Sequence, residues 1–284
     1  MALIAFAGNS VLCRLALGNA TIDATSFTIV RLVSGALTLL AIIAFMQLRH
    51  SKANRQTLAF SSARVLQATM LFIYAGAFSY AYIVLDTGVG ALILFSTVQL
   101  SMITMSIVKR EHLGALQWLG LLLAFTGFVY LMSDQYRLAE QTVSVWGSLI
   151  MIIAGLAWAA YTLLGKGSKQ PLIDTGLNFV IAVPMCVLLL AAYYFEPVNI
   201  SNYGLLLAIL SGAVTSGIGY AIWYYALEGL TAIQAGVVQL LVPVIAALGG
   251  LIWVGEAMSG ALILSQIVIL GGIALVMFTK PAAN

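Results

Sequence analysis

One apolar pattern is written twice along this chain, and the recurrence limits the folds open to it. Tyr80 is followed nineteen residues later by Gln99, and Tyr220 nineteen residues later by Gln239. Glu111 precedes Gly127 and Met132 by the distances that separate Glu256 from Gly272 and Met277. Phe6 to Arg14 repeats as Trp158 to Lys166. Such a repeat marks two homologous halves, read as 1–137 and 138–284.

The solvent for these halves is lipid. Of 284 residues, 62% are hydrophobic and only 7% charged, whereas soluble domains carry about a quarter charged residues. Ten segments can be drawn, each near the ~20 residues needed to cross about 30 Å of hydrocarbon. They are 2–18, 25–47, 64–85, 87–108, 114–132, 144–166, 174–195, 203–226, 231–253 and 258–279. The runs are continuously apolar and lack the alternation of a barrel wall, so they are read as helices. The first run has no basic start and carries Arg14 inside it, which favours a membrane helix over a signal peptide. Pro184 and Pro243 fall inside segments, where each marks a kink or a hinge, packing adjustment alone being the commoner explanation.

Basic residues fix the expected orientation. Arg49, Lys52, Arg55, Arg64, Lys109, Arg110, Lys166, Lys169 and Lys280 share one side, and Arg137 is the loop cation of the other. Both termini should therefore be cytoplasmic. Five segments per half is an odd number, so the halves must be inverted about an axis in the membrane plane. The expected architecture is an all-α polytopic membrane protein of ten helices in two inverted five-helix repeats, multi-pass in a bacterial inner membrane.

Enzymatic chemistry finds little support. His50 and His112 lie in basic loops, and Cys13 and Cys186 lie in apolar runs as small hydrophobes. All nine acidic residues fall at segment ends or in loops, so a buried acid, base or nucleophile with a partner is missing. No metal, cofactor or enzyme activity is expected. A mid-membrane carboxylate, the usual device for proton coupling, is missing too. Facilitation down a gradient is the favoured energetics.

The candidate binding residues are polar and aromatic side chains deep in the segments. Gln99 and Gln239 lose amide hydrogen bonds in lipid unless a partner meets them, at several kcal/mol each. Either they face a central cavity from opposite halves or they bond neighbouring helices. Asn9, Tyr80, Tyr82, Trp158, Tyr161, Tyr220, Trp223 and Tyr224 form a second set. Trp158 with Tyr161, and Tyr220 with Trp223 and Tyr224, share helix faces that line a slot for flat ligands or pack as core. Arg14 and Arg31 each either hold a substrate carboxylate, snorkel to the headgroups or bond a broken helix end; snorkelling is favoured for Arg14. Gly212 with Ser216, and Ala213 with Gly217, suit close helix approach.

The chain resembles the drug/metabolite transporter superfamily, specifically its EamA-type ten-helix members. The resemblance rests on AFAGNSVLCRLAL, on FTIVRLVSGALTLL, and on the half-endings KREHLGALQWLGLLLAFTGFVYLM and VGEAMSGALILSQIVILGGIALVM. Among members it looks most like bacterial YddG-type amino-acid exporters. This resemblance implies a basket of helices around a cavity, alternating access, and export of neutral or zwitterionic amino acids, aromatic ones included. The implied partners are a small-molecule substrate and the lipid bilayer, with no nucleic acid, and a monomer is the working expectation. Export of other neutral metabolites or drugs, such as purines or quaternary amines, and a non-transporting membrane scaffold remain as alternatives.

Overall fold

In the computed structural model, the described residues are 1–49, 62–108, 114–137, 145–165, 168, 170–194, 197–227, 239 and 241–279. These residues are helical throughout, apart from turns, linkers and one isolated antiparallel bridge between Ile22 and Ile200. The helices are α1 (Ala2–Gly18), α2 (Ala24–Arg49), α3 (Ser62–Ala81), α4 (Thr87–Val108), α5 (Ala115–Arg137) and α6 (Val145–Gly165). There follow α7 (Pro171–Met185), α8 (Asn202–Leu210), α9 (Gly219–Leu227), α10 (Leu241–Gly249) and α11 (Gly260–Phe278). Five described helical stretches are long and apolar enough to cross a membrane, with shorter apolar helices beside them.

Side-chain distribution is inside-out relative to a soluble protein. Trp146 is 76% exposed and Leu37 63%, while Asn9, Gln99 and Gln239 are buried. A surface of that kind is stable only against lipid, where backbone groups must also be paired within each helix. Helix starts are set by local polar groups. Asp23 accepts from the Ser26 N–H at 2.7 Å at the head of α2. Ser201 and Ser259 do the same for α8 and α11, each at 3.0 Å from an N–H.

Four spans depart from uniform helix, the ninth by a π-turn over Gly250–Val254 directly after α10. The third ends at Ala81 rather than 85, and residues 82–85 form a turn. Arg14 takes the carbonyls of Tyr82 and Ile83 at 3.3 and 3.0 Å, which supports the unwound end. The seventh tightens into a 3-10 helix over Cys186–Tyr194, two residues after Pro184, which itself lies inside α7. The eighth widens into a π-helix over Ser211–Ile218, between α8 and α9. Pro243 lies in the first turn of α10, the residues before it falling largely outside those described.

Small residues set the closest approaches. A Cβ on Gly120 of α5 would stand 2.5 Å from the Gly272 carbonyl of α11, and one on Gly272 would stand 2.5 Å from the Gly120 carbonyl. These two helices therefore touch backbone to backbone. Gly212 of the π-helix lies directly on the Arg31 carbonyl and Ser34 hydroxyl of α2, so the expected small-residue seam joins this segment to α2.

Candidate functional site

An aromatic core sits where α1, α3, α4, α6 and the π-helix with α9 converge. Phe6 packs edge-on against Trp158, Tyr220 and Trp223, at centroid distances of 6.3, 5.8 and 5.5 Å. Trp158 also meets Tyr74 at 4.8 Å, Tyr220 at 5.1 Å and Tyr161 at 5.5 Å. Within this core lies a cavity of about 10 Å³, lined by Phe6, Asn9, Tyr74, Phe78, Trp158, Tyr220 and their neighbours. That volume holds at most about one water, so the site is shut in this state. The rings come from both sides of residue 138, and no carboxylate lines the cavity among the described residues.

The π-helix supplies the polar edge. Its wide turn directs Ser211 and Thr215 at α1, where Ser211 donates to Asn9 Oδ1 at 2.6 Å and Thr215, whose hydroxyl also donates to the Ser211 carbonyl at 2.7 Å, lies 3.2 Å from the same oxygen. The next residue, Ser216, turns to α2 and meets Arg31. π-turns recur at functional sites because they re-aim successive side chains in this way.

Arg31 is the charged element of this region. It is 2% exposed, and its Nε and Nη2 donate to Ser216 Oγ and Tyr74 Oη over 3.4 and 3.3 Å. Its Cζ stands 4.9 Å from the Phe78 centroid and 5.3 Å from that of Tyr74. Among the described residues no carboxylate comes within 4.0 Å of it, and Nη1 has no hydrogen-bond partner. Desolvating an unpaired guanidinium costs several kcal/mol, and a cation–π contact returns only ~0.5–2 kcal/mol. The charge is under-compensated.

A second polar cluster closes one end of the bundle. Arg14 Nε lies 3.1 Å from Glu256 Oε1, and Nη2 lies 3.1 Å from Asp86 Oδ1. Snorkelling to headgroups is thus not what Arg14 does: carboxylates and the carbonyls at the end of α3 hold it. The Thr87 N–H donates to both Glu256 oxygens at 3.0 and 2.8 Å, placing an anion on the N-terminus of α4. Gly255, at φ 79°, makes the left-handed turn that sends Glu256 back there. Gly250 leaves room for the carboxylate. Burial pushes the Glu256 carboxyl above the ordinary carboxylate range, and Asp86 adds to it, against the bonds from Thr87 and the charge of Arg14. A cavity of about 210 Å³ adjoins, lined by Asp86, Gly88, Ala247, Glu256, Ser259 and Leu262 among others. At the same end Asp23 N–H donates to the Asn199 carbonyl at 2.8 Å and Ser201 N–H to that of Thr21 at 2.9 Å.

Comparison with known proteins decides the family. Residues 145–278 match the model of the EamA-like transporter family. An uncharacterised protein of Pseudomonas aeruginosa is 44% identical over 277 residues, covering 98% of this chain and 92% of the relative. An uncharacterised transporter of Archaeoglobus fulgidus is 27% identical over 68% of each chain. Another of Bacillus subtilis, YoaV, is 21% identical over 89% of this chain and 87% of its own. The chain belongs to the EamA-like transporter family. A solved crystal structure shares the fold at a TM-score of 0.63 and 21% identity, covering 96% of this chain and 95% of that one. This EamA-family protein is therefore a multi-pass membrane protein of a transporter family.

Within that family frame, the sequence candidates separate into groups. Asn9, Trp158 and Tyr220 line the aromatic cavity. Tyr161 and Trp223 stand one ring behind it, and Tyr82 packs edge-on against Phe78 at 4.8 Å. Arg31 touches its wall. Tyr80 is elsewhere, its hydroxyl 2.7 Å from that of Thr25. Gln99 and Gln239 are buried and partnered, but neither is in the cavity lining. The side chain of Tyr224 lies outside the described residues. Phe6, Tyr74 and Phe78 were not among the binding candidates; the i, i+4 stripe Tyr74, Phe78, Tyr82 in the sequence was the available signal. Among the described residues no three His, Cys, Asp or Glu side chains group to hold a metal ion.

Proposed function

We propose that this EamA-family transporter exports amino acids, aromatic and neutral ones included, and related metabolites across the bacterial inner membrane by alternating access. The observation that carries the reading is the closed aromatic cavity with a polar edge of Asn9 and π-helix hydroxyls, built from both sides of residue 138. Flat side chains stack on such rings, and Asn9 with its hydroxyls addresses a polar backbone. The ten-span, inverted-repeat reading puts both termini in the cytoplasm, so the Arg14–Asp86–Glu256 cluster becomes the outer closure. Export then requires this cluster to part while the cytoplasmic side shuts. The protein acts as a monomer in this reading, its partners being the small-molecule substrate and the bilayer.

Because the described cavity wall carries no carboxylate, the substrate site itself works without carboxylate-based proton coupling in this reading, and the Glu256 carboxylate belongs to the outer closure. Quaternary amines and purines are the competing cargoes, since aromatic boxes also hold cations. The Arg31 guanidinium against Tyr74 and Phe78 repels a cationic ligand and favours the amino-acid reading. Flux of labelled Trp, Phe and Thr through the purified protein in liposomes tests it. Saturable flux of at least one is expected; flux of purines or quaternary amines alone would replace this reading with the competing one.

A further inference from the structure

The unpaired charge of Arg31 names a feature of the cargo. We propose that Arg31 is the anchor for a carboxylate on the substrate, which makes the cargo of this transporter a monoanionic carboxylate or a zwitterion with a flat or apolar body. This inference deepens the amino-acid reading and rests on it.

Three observations converge on the guanidinium. It is buried on α2 with no carboxylate within 4.0 Å among the described residues. Its Nη1 is buried without a hydrogen-bond partner, and its two bonds to neutral hydroxyls are long at 3.4 and 3.3 Å. It stands against Tyr74 and Phe78, which line the aromatic cavity, and against Ser216, whose neighbour Thr215 lines it as well. A guanidinium offers five N–H donors in a fork that fits a carboxylate through two parallel bonds. Most of that fork is unused here. A carboxylate arriving beside Nη1 would supply the missing counter-charge and take the free donor, while the body of the cargo stacks on Trp158 and Tyr220.

Charge balance selects the class of anion. Arg14 and Arg64 are already paired with carboxylates, Arg64 with Asp174 at 2.5 Å. Arg31 therefore brings one unmatched positive charge to the cavity wall, which one carboxylate neutralises. A phosphate dianion would leave a negative charge buried in apolar surroundings. The cavity of about 10 Å³ is too small for such a cargo, so occupancy requires the Phe6, Tyr74 and Phe78 rings to move apart.

The test uses the full chain purified in detergent and one body with different polar ends. Thermal stabilisation is measured with indole-3-propionate, L-tryptophan, L-tryptophanamide and tryptamine, and with benzoate as a carboxylate that is not an amino acid. Ligand stabilisation grows with occupancy of the folded state. The two indole acids should bind about 10-fold or more tighter than the amide and the amine. Arg31→Gln should bring the four indoles within a few-fold of one another, and Arg31→Lys should keep part of the preference through its charge alone. Equal binding of acid and amide by the wild-type protein overturns the inference, and this comparison stands even if a variant fails to fold. An acid preference that survives Arg31→Gln overturns it too. Binding of benzoate and indole-3-propionate without amino-acid flux in liposomes keeps the Arg31 anchor and overturns the amino-acid cargo. Absence of binding by every compound overturns both.

Discussion

Arg14 Nε and Glu256 Oε1 lie 3.1 Å apart although 242 residues separate them in the chain. That one bond ties α1 to the loop between the π-turn after α10 and α11, while Thr87 N–H and Asp86 bring in the head of α4. Three elements thus meet on one carboxylate and one guanidinium at the end of the bundle proposed to be outer. Opening that end must break these contacts together.

Removing one partner should be costlier than removing both. Arg14→Ala leaves the half-buried Glu256 carboxylate without its cation and should destabilise the closed state by about 1–3 kcal/mol. Arg14→Ala with Glu256→Gln should recover part of that loss. A double-mutant cycle on melting temperature in detergent checks the coupling, expected at about 1–2 kcal/mol. Asp86→Asn should cost less than about 1 kcal/mol, because Asp86 is largely exposed.

Acidity should favour the closed cluster. Glu256 is held above the ordinary carboxylate range by burial when the cluster is closed, and opening would hydrate it and return it to that range. The closed state therefore binds the proton more tightly. Its advantage is full below the ordinary pKa of 4.5 and fades as pH rises through the raised value. The charged groups facing Glu256 are Arg14 of α1 and Asp86 before α4. Labelling of a cysteine placed at Ser259, beside the 210 Å³ cavity, should slow as outer pH falls toward that range, and Glu256→Gln should flatten the dependence. The unlabelled reference is the same cysteine at neutral pH, normalised for thiolate fraction.

How much of this was legible beforehand differs by element. Long apolar runs reported the helices, because lipid leaves a chain no other way to pair its backbone. Pro184 marked a kink, a hinge or a packing adjustment, but the 3-10 segment that begins at Cys186 was not legible from it. The Arg14–Glu256 bond was not, because nothing local to either residue records a partner 242 positions away. The end of α3 at Ala81 depends on that same arginine and was placed four residues late. The Gln99 and Gln239 echo was read correctly as buried polarity, yet neither side chain reaches the lining of the aromatic cavity. Burial follows from composition; the direction of a side chain within a bundle follows from helix rotation, which periodicity cannot fix when nearly every position is apolar. The same limit hid Tyr74 and Phe78.

The α5–α11 contact should be intolerant of any Cβ. Gly120→Ala and Gly272→Ala each place a methyl 2.5 Å from a backbone oxygen that no rotamer can move, and overpacking of this kind costs about 1–3 kcal/mol. Gly271→Ala, whose Cβ meets nothing within 4 Å, is the control and should leave the melting temperature nearly unchanged.

Polar ends of the cavity should govern flux more than fold. Asn9→Ala removes the acceptor for Ser211 and Thr215 and is expected to lower amino-acid flux about 10-fold or more at a stability cost of about 1–2 kcal/mol. Tyr80→Phe, which loses the hydroxyl bonded to Thr25 away from the cavity lining, should keep flux within about 2-fold of wild type. Initial rates in liposomes at matched protein content separate the two.

The central claim is that the aromatic cavity carries amino acids across the membrane, and counterflow tests it most directly. Liposomes holding the purified protein and unlabelled L-tryptophan are diluted into labelled L-tryptophan, with no pH gradient. The account predicts a transient, saturable accumulation of label above protein-free liposomes, reduced about 10-fold or more in Asn9→Ala. Label entry equal to that of protein-free liposomes, for tryptophan and for phenylalanine and threonine tested alike, would contradict it.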